Sequence, residues 1–228
     1  MGRGYSCANS GYPEEVLTEN EPAATLTLWS AYLPPVDYLW RLAQHGRVAV
    51  EVGETYAKQS YRNRCEIVGA QGRQALSIPV KRPGDNHTPT CGVLVDYSTP
   101  WQRAHLGAIR AAYGKAAYYI HYCEELESII LSGEERLYRL NARLLDFLLR
   151  SFGVGTELLY LEDYQAERKG DARELYHPKR AREGQGEYYQ VFGERHGFVA
   201  NASGLDLLMN EGPGGLAALT PPSGSCTH

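Results

Sequence analysis

Two short stretches, "ATLTLW" (24–29) and "RVAVEV" (47–52), enclose one helical pattern, and their spacing constrains the fold more than any other feature of the chain. Both alternate or run β-branched and aromatic, as strands do. Between them, "SAYLPPVDY" holds two prolines that forbid helix until Pro35, a residue suited to a first helical turn. Val36, Leu39, Trp40 and Ala43 then recur with helical spacing, and Gly46 stops the run. A strand, helix and strand of this size make a βαβ unit, which commits the chain to a parallel pair with a crossover helix.

The next segments extend the sheet. "RCEIVG" (64–69), a turn at "AQGR" and "QALSIPV" (74–80) read as a hairpin. "KRPGDNHTPT" is a loop of turn formers, and "GVLVDY" (92–97) is a further strand candidate. After Pro100 the texture becomes helical. "WQRAHLGAIRAAYG" places Trp101, His105, Ala108 and Ala112 on one narrow face. "AYYIHYCEELESIIL" reads as an extended or turn piece leading into a helix. "SGEERLYRLNARLLDFLLRSFG" is the clearest helix, with Ser132 and Glu135 at capping-box spacing, Leu137, Leu140, Leu144 and Leu148 on its core face, and Gly153 at its end. "ELLYLEDY" is a short strand candidate and "GLDLLMN" a short helix. Residues 165–188 carry eleven charged residues, a solvated loop or lid in which Asp171, Arg173, His177 and Lys179 can close over a ligand. The expected fold is a single α/β domain over 24–212. It has a mixed sheet of about five strands, a βαβ start and a helical second half, between a mobile leader (1–23) and a disordered tail (213–228).

Composition bounds the function. The 228 residues carry a net charge of −4, which argues against a general nucleic-acid binder. No apolar run spans a bilayer and no secretory signal is visible, so the expected location is cytoplasmic, without a membrane span. Cys7, Cys65, Cys91, Cys123 and Cys226 lack zinc spacing and read as free thiols. Seventeen tyrosines against four phenylalanines point to polar apertures or ligand-facing walls.

Within this acidic chain, "YAKQSYRNRCEI" (56–67) gathers Lys58, Arg62 and Arg64, with Gln59 and Asn63 among them and no acid between Glu54 and Glu66. Three cations in one loop and strand entry can hold an anion, and the amides can read a neutral polar group beside it. If the strand starts near Tyr61, alternation puts Arg62 and Arg64 on one surface. The alternative is a solvated basic edge. Tyr32 and Tyr38, after the first strand of the α/β unit, stand where open sheets place ligands, although no glycine-rich phosphate loop is present; the alternative is a rigid turn that packs the two aromatics. His105 is a candidate proton acceptor or a hydrogen-bonded core histidine. Asn141 reads as a structural amide, and Cys65 as a buried strand cysteine.

The order of these segments resembles the WbqC-like protein family. The resemblance runs from about residue 25 to 213 and is carried by "AYLPPVDYL", "EVGETYAKQSYRNRCEI", "LSIPV", "WQRAHLGAIRAAYGKAAYYIHY", "DARELYHPKR" and "YYQVFGERHGFVANASGLDLLMNEGP". The motif positions are Tyr32, Pro34, Tyr38, Lys58, Gln59, Arg62, Asn63, Arg64, Trp101, His105, Tyr113, Asp206 and Asn210. One departure is the "NASGLDLL" stretch, where a Leu-Ser pair is expected near Ala202 and Ser203. The resemblance implies a role in surface-polysaccharide (O-antigen-type) biosynthesis, with an aminoacyl or acyl group moved onto an activated sugar. No cofactor is identified. The expected ligand is a phosphorylated small molecule: a nucleotide sugar, an acyl thioester or an aminoacyl adenylate. On this reading Lys58, Arg62 and Arg64 hold the phosphate and His105 is the general base. Tyr32, Tyr38 and Trp101 form the sugar-facing wall, while Asp206 and Asn210 bind polar groups or cap the last helix. The rival is a non-catalytic binding or scaffold protein that serves other enzymes of the same pathway. tRNA binding through the Lys/Arg clusters is a weaker third.

Overall fold

The computed structural model describes residues 24, 26–81, 87–168, 170–176, 178 and 186–219. The opening unit forms as its spacing requires. Strand β1 (Leu26–Trp29), helix α1 (Val36–Leu42) and strand β2 (Arg47–Glu51) make a parallel crossover, in register from Leu26 against Val48 to Trp29 against Glu51. A third parallel strand, β5 (Glu157–Leu161), pairs with the other side of β2, so the order is β1-β2-β5. The class is α/β with a mostly helical second half.

The remaining strands form a separate layer. β3 (Arg64–Gly69) and β4 (Gly72–Ser77) are an antiparallel hairpin packed on α2 (Trp101–Tyr113). The single mixed sheet expected from the sequence is therefore divided in two. The stretch 92–97 adds no strand. It follows a short 3₁₀ turn (Thr90–Gly92) and makes only single bridges, Val95 with Val80 and Leu94 with Arg136. Pro79, which lacks an N–H, accepts from Asp96 N at 2.9 Å and can return no ladder bond.

Helix α3 (Tyr119–Ile130) takes in the tyrosine-rich piece expected to be extended. Helix α4 (Leu137–Ser151) buries Leu137, Leu140, Leu144 and Leu148 as its pattern demands. Its start differs from the capping-box expectation. Arg136 is the N-cap residue, in extended conformation because it bridges to Leu94, so Ser132 lies outside the helix. After the short helix α5 (Gly193–His196), α6 (Gly204–Glu211) begins at Ser203, whose Oγ accepts from Leu205 N at 3.2 Å. The boundary expected at 212 falls inside a continuing helical run: a 3₁₀ turn (Gly212–Gly214) leads into α7 (Gly215–Ala218), where Leu216 is buried. The expected leader (1–23) and the chain beyond 219 lie outside the described residues.

One core joins the layers. Leu28 and Val48 of the parallel sheet, Ile67 of the hairpin, and Leu39, Leu144, Leu148 and Leu205 of the helices belong to it. Fully burying each such side chain contributes about 1.5–3 kcal/mol. No helix among the described residues is long and apolar enough to cross a membrane.

Candidate functional site

The parallel strands end together, at Trp29, Glu51 and Leu161, and the chain leaving β2 builds the site. Gly53 passes so close to the backbone of Glu162 that a Cβ there would collide with its carbonyl. Glu54 follows, buried, and its Oε1 accepts from Arg62 Nε and from Thr90 Oγ1, both at 2.6 Å. The loop 56–63 is fixed at both ends. Tyr56 N donates to Thr88 O at 3.0 Å, Tyr32 N donates to Tyr61 O at 2.8 Å, and Asn141 Nδ2 donates to Arg62 O at 2.8 Å.

A cavity of about 300 Å³ opens against this loop, lined by Tyr56, Lys58, Gln59, Asn63, Arg64, Ser77 and Val80. Four of the predicted site residues thus meet in one place: Lys58, Gln59, Asn63 and Arg64. Their remaining bonding capacity is directional. Lys58 has no acidic partner among the described residues. Arg64 donates through Nη2 to Glu66 at 3.2 Å, while its Nε is buried and unpartnered. Asn63 spends its Nδ2 on Ile78 O, leaving Oδ1 buried without a donor. The wall therefore offers cationic donors, one acceptor and the exposed amide of Gln59. Burial pushes the Tyr56 hydroxyl to about 12, so it stays protonated.

Arg62 is not part of this wall. Its guanidinium faces inward against Glu54, with the two side chains only 6% and 5% exposed, and lies 4.3 Å over the Trp29 ring. The strand begins at Arg64, so residues 61–63 form a turn, and the alternation expected to bring Arg62 and Arg64 to one surface does not apply.

His105 is also placed differently from its expected role as a base. It is buried, its Nδ1 bonded to the Tyr32 hydroxyl at 2.9 Å and its ring hydrogen-bonded to the backbone of Ser77. Burial lowers its pKa to about 4, so it is neutral near pH 7, and at 5% exposure it is closed off from a ligand. Trp101 packs edge-on against it at 5.0 Å. Tyr32, Trp101 and His105 thus back the cavity through Ser77 without lining it. Tyr38 lies apart, its hydroxyl bonded to Trp29 O at 2.9 Å.

Tyr113, Asp206 and Asn210 form a third group. Asp206 Oδ2 accepts from Tyr188 at 2.7 Å and Gln190 at 2.8 Å, the Tyr113 hydroxyl lies beside the carboxyl, and burial raises its pKa to about 6. Asn210 donates to Asp206 O one turn back. Cys65 is buried, and burial raises its thiol pKa, which makes it inert.

Several partners were not foreseen. Glu51 is fully buried and holds Arg168 Nε at 2.9 Å, with Arg173 Nη1 at 3.7 Å. Arg173 lies 5.0 Å over Trp29 and binds Asp171. The segment expected as a lid is therefore anchored at Arg168, Asp171 and Arg173; His177 and Lys179 lie outside what is described. The missing signal was in the flanks of the cationic run: its bordering acids, Glu54 and Glu66, are the partners of Arg62 and Arg64. Among the described residues, no group of His, Cys, Asp and Glu could hold a metal ion.

The profile of the WbqC-like protein family matches residues 30–190. That span takes in the cavity loop, α2 and α4 and ends before Asp206 and Asn210. The chain is also 31% identical over 137 residues to the uncharacterized protein Rv1507c of Mycobacterium tuberculosis, covering 60% of this chain and 59% of that protein's length. No solved structure matches the chain.

Proposed function

We propose that this chain, which belongs to the WbqC-like protein family, binds a phosphorylated small molecule in the Lys58–Arg64 cavity. In the cytoplasm it serves surface-polysaccharide biosynthesis by moving an aminoacyl or acyl group onto an activated sugar. The observation that carries this reading is the convergence on one cavity of Lys58, which has no acidic partner among the described residues, an unpartnered Arg64 Nε and the amides of Gln59 and Asn63. Cations aimed at a phosphate from a partly enclosed wall hold the reacting ends in place, and such positioning can supply much of a transfer rate. The residues that line the cavity include no His, Asp, Glu or Cys. The attacking amine or hydroxyl therefore forms its new bond to the acyl carbon as the donor's thiol or AMP leaves, and the departing group or water, not His105, takes up the proton.

The sequestration of His105 favours a second reading, a non-catalytic protein that presents the same ligand to other enzymes of the pathway. A thermal-shift screen with nucleotide sugars, acyl-thioester cofactors and aminoacyl adenylate analogues tests the shared premise. A ligand at about 100 times its dissociation constant adds about 2.7 kcal/mol of stability. The shift is expected to vanish in folded Lys58→Ala and Arg64→Ala proteins and to persist in a folded His105→Gln protein. A shift that survives both cation removals refutes the site. Transfer of a labelled acyl group by the wild type, lost in Lys58→Ala, separates the transferase from the presenter.

A further inference from the structure

Among the described residues, three that are not glycine have positive φ: Leu33 (φ 41), Gln59 (φ 56) and Asn201 (φ 54). Left-handed backbone carries a cost that glycine escapes, so each position needs a reason to keep its side chain. Leu33 buries its side chain in the core. Asn201 uses its Oδ1 to accept from Asp37 N at 3.1 Å, at the start of α1. Gln59 does neither. It is exposed, its amide makes no hydrogen bond among the described residues, and it lies on the cavity wall beside Lys58.

The loop does not need that side chain to hold its shape. Ser60 Oγ donates to Ala57 O at 2.7 Å, closing the chain across Gln59, and Arg62 N donates back to Ser60 Oγ at 3.4 Å. Strained positions that the surroundings enforce cluster where function uses them. An amide offers both a donor and an acceptor, and it stands next to an unpartnered cation on a wall whose Asn63 Oδ1 also lacks a donor.

We propose that Gln59 is a specificity-determining residue of this cavity, held in left-handed backbone so that its amide reads a neutral polar group beside the bound anion. The proposal rests on the anion-site reading above. It does not involve Gln59 in chemistry.

Gln59→Gly and Gln59→Ala both remove the amide, but only glycine relieves the backbone. The Gly variant should therefore melt above the Ala variant, the reverse of the order at an ordinary position. Calorimetric titration with inorganic phosphate, a hexose phosphate and AMP compares both variants with the wild type. Both should lose the wild type's preference for an organic phosphate over inorganic phosphate, by about fivefold or more, as expected for one lost hydrogen bond. A preference retained in both variants, a wild type with no preference, or an Ala variant that melts at or above the Gly variant overturns the proposal. Failure of the wild type to bind any of the probes removes the anion site itself, and this inference with it. Normal phosphate binding with unaltered discrimination removes only the role of Gln59.

Discussion

Replacing Arg62 by methionine should cost about 3–5 kcal/mol of unfolding free energy, the range for removing one partner of a buried ion pair. The structure places this pair at the strong end. Its contact is 2.6 Å and both side chains are almost wholly buried. Without Arg62, Glu54 keeps Thr90 Oγ1 and its own backbone N–H, neither of them charged, and its Oε2 already lacks a partner. Burial already raises the Glu54 pKa, and the charge of Arg62 is the largest influence opposing that. Glu54→Gln should cost less, because the amide oxygen still accepts from Arg62 and Thr90 while the guanidinium keeps the Trp29 ring beneath it. The double variant Arg62→Met/Glu54→Gln should recover most of the single-variant loss.

Equilibrium urea unfolding followed by tryptophan fluorescence gives each value, and the cycle isolates the coupling. In Arg62→Met the folded pKa of Glu54 lies above its unfolded value. That variant is therefore most stable below the unfolded pKa and loses stability as pH rises through the folded one. A cost below about 1 kcal/mol for Arg62→Met, or a larger cost for Glu54→Gln than for Arg62→Met, refutes the reasoning. The result also bears on function. Loss of ligand binding in an Arg62 variant reports a disturbed loop, so Lys58 and Arg64 are the informative positions.

What the sequence made legible was local. The βαβ start and the leucine face of α4 follow from periodicity and breakers within one segment. The missing strand at 92–97 followed from Pro79, whose lack of an N–H stops a ladder only once the chain has brought 92–97 beside it. The start of α4 was displaced because Arg136 is claimed by Leu94, a contact between distant residues that overrides a good capping box. The tyrosines tell the same story. Tyr32 and Tyr38 were expected at a ligand-facing wall, and Tyr113 among the motif positions of the site. Instead they are buried, with hydroxyls bonded to His105, Trp29 O and Val68 N.

The cationic run shows how a correct string gives a partly incorrect site. Clustering of Lys58, Arg62 and Arg64 identified the loop, but alternation was extended three residues before the strand begins. In the turn, Arg62 faces inward to the buried Glu54, and Arg64 stays at the wall half-neutralised by Glu66, which Arg73 shares at 2.7 Å. Lys58 is left as the unpaired charge. A flanking acid is visible in sequence; which cation it will neutralise depends on where the strand starts.

Two further outcomes follow from buried polar contacts. Tyr32→Phe strips the donor from His105 Nδ1 and should cost about 1–3 kcal/mol in urea unfolding, without weakening phosphate binding; an unchanged stability would place His105 in a different tautomer or partner set. For Asp206, the folded pKa of about 6 lies above the ordinary 3.8, chiefly through burial, against the opposing bonds from Tyr188, Tyr113 and Gln190 and the charge of Arg73. Between these values the native state holds more protons than the unfolded chain, so the group's contribution is fully present below 3.8 and is lost as pH rises through about 6. The difference amounts to about 3 kcal/mol between acid and neutral pH. Asp206→Asn retains an oxygen for Tyr188 and Gln190 and carries no proton to lose. Its stability between pH 4 and 7 should therefore lack this fall, and a variant whose urea midpoint still drops in parallel with the wild type would assign the pH dependence to another group.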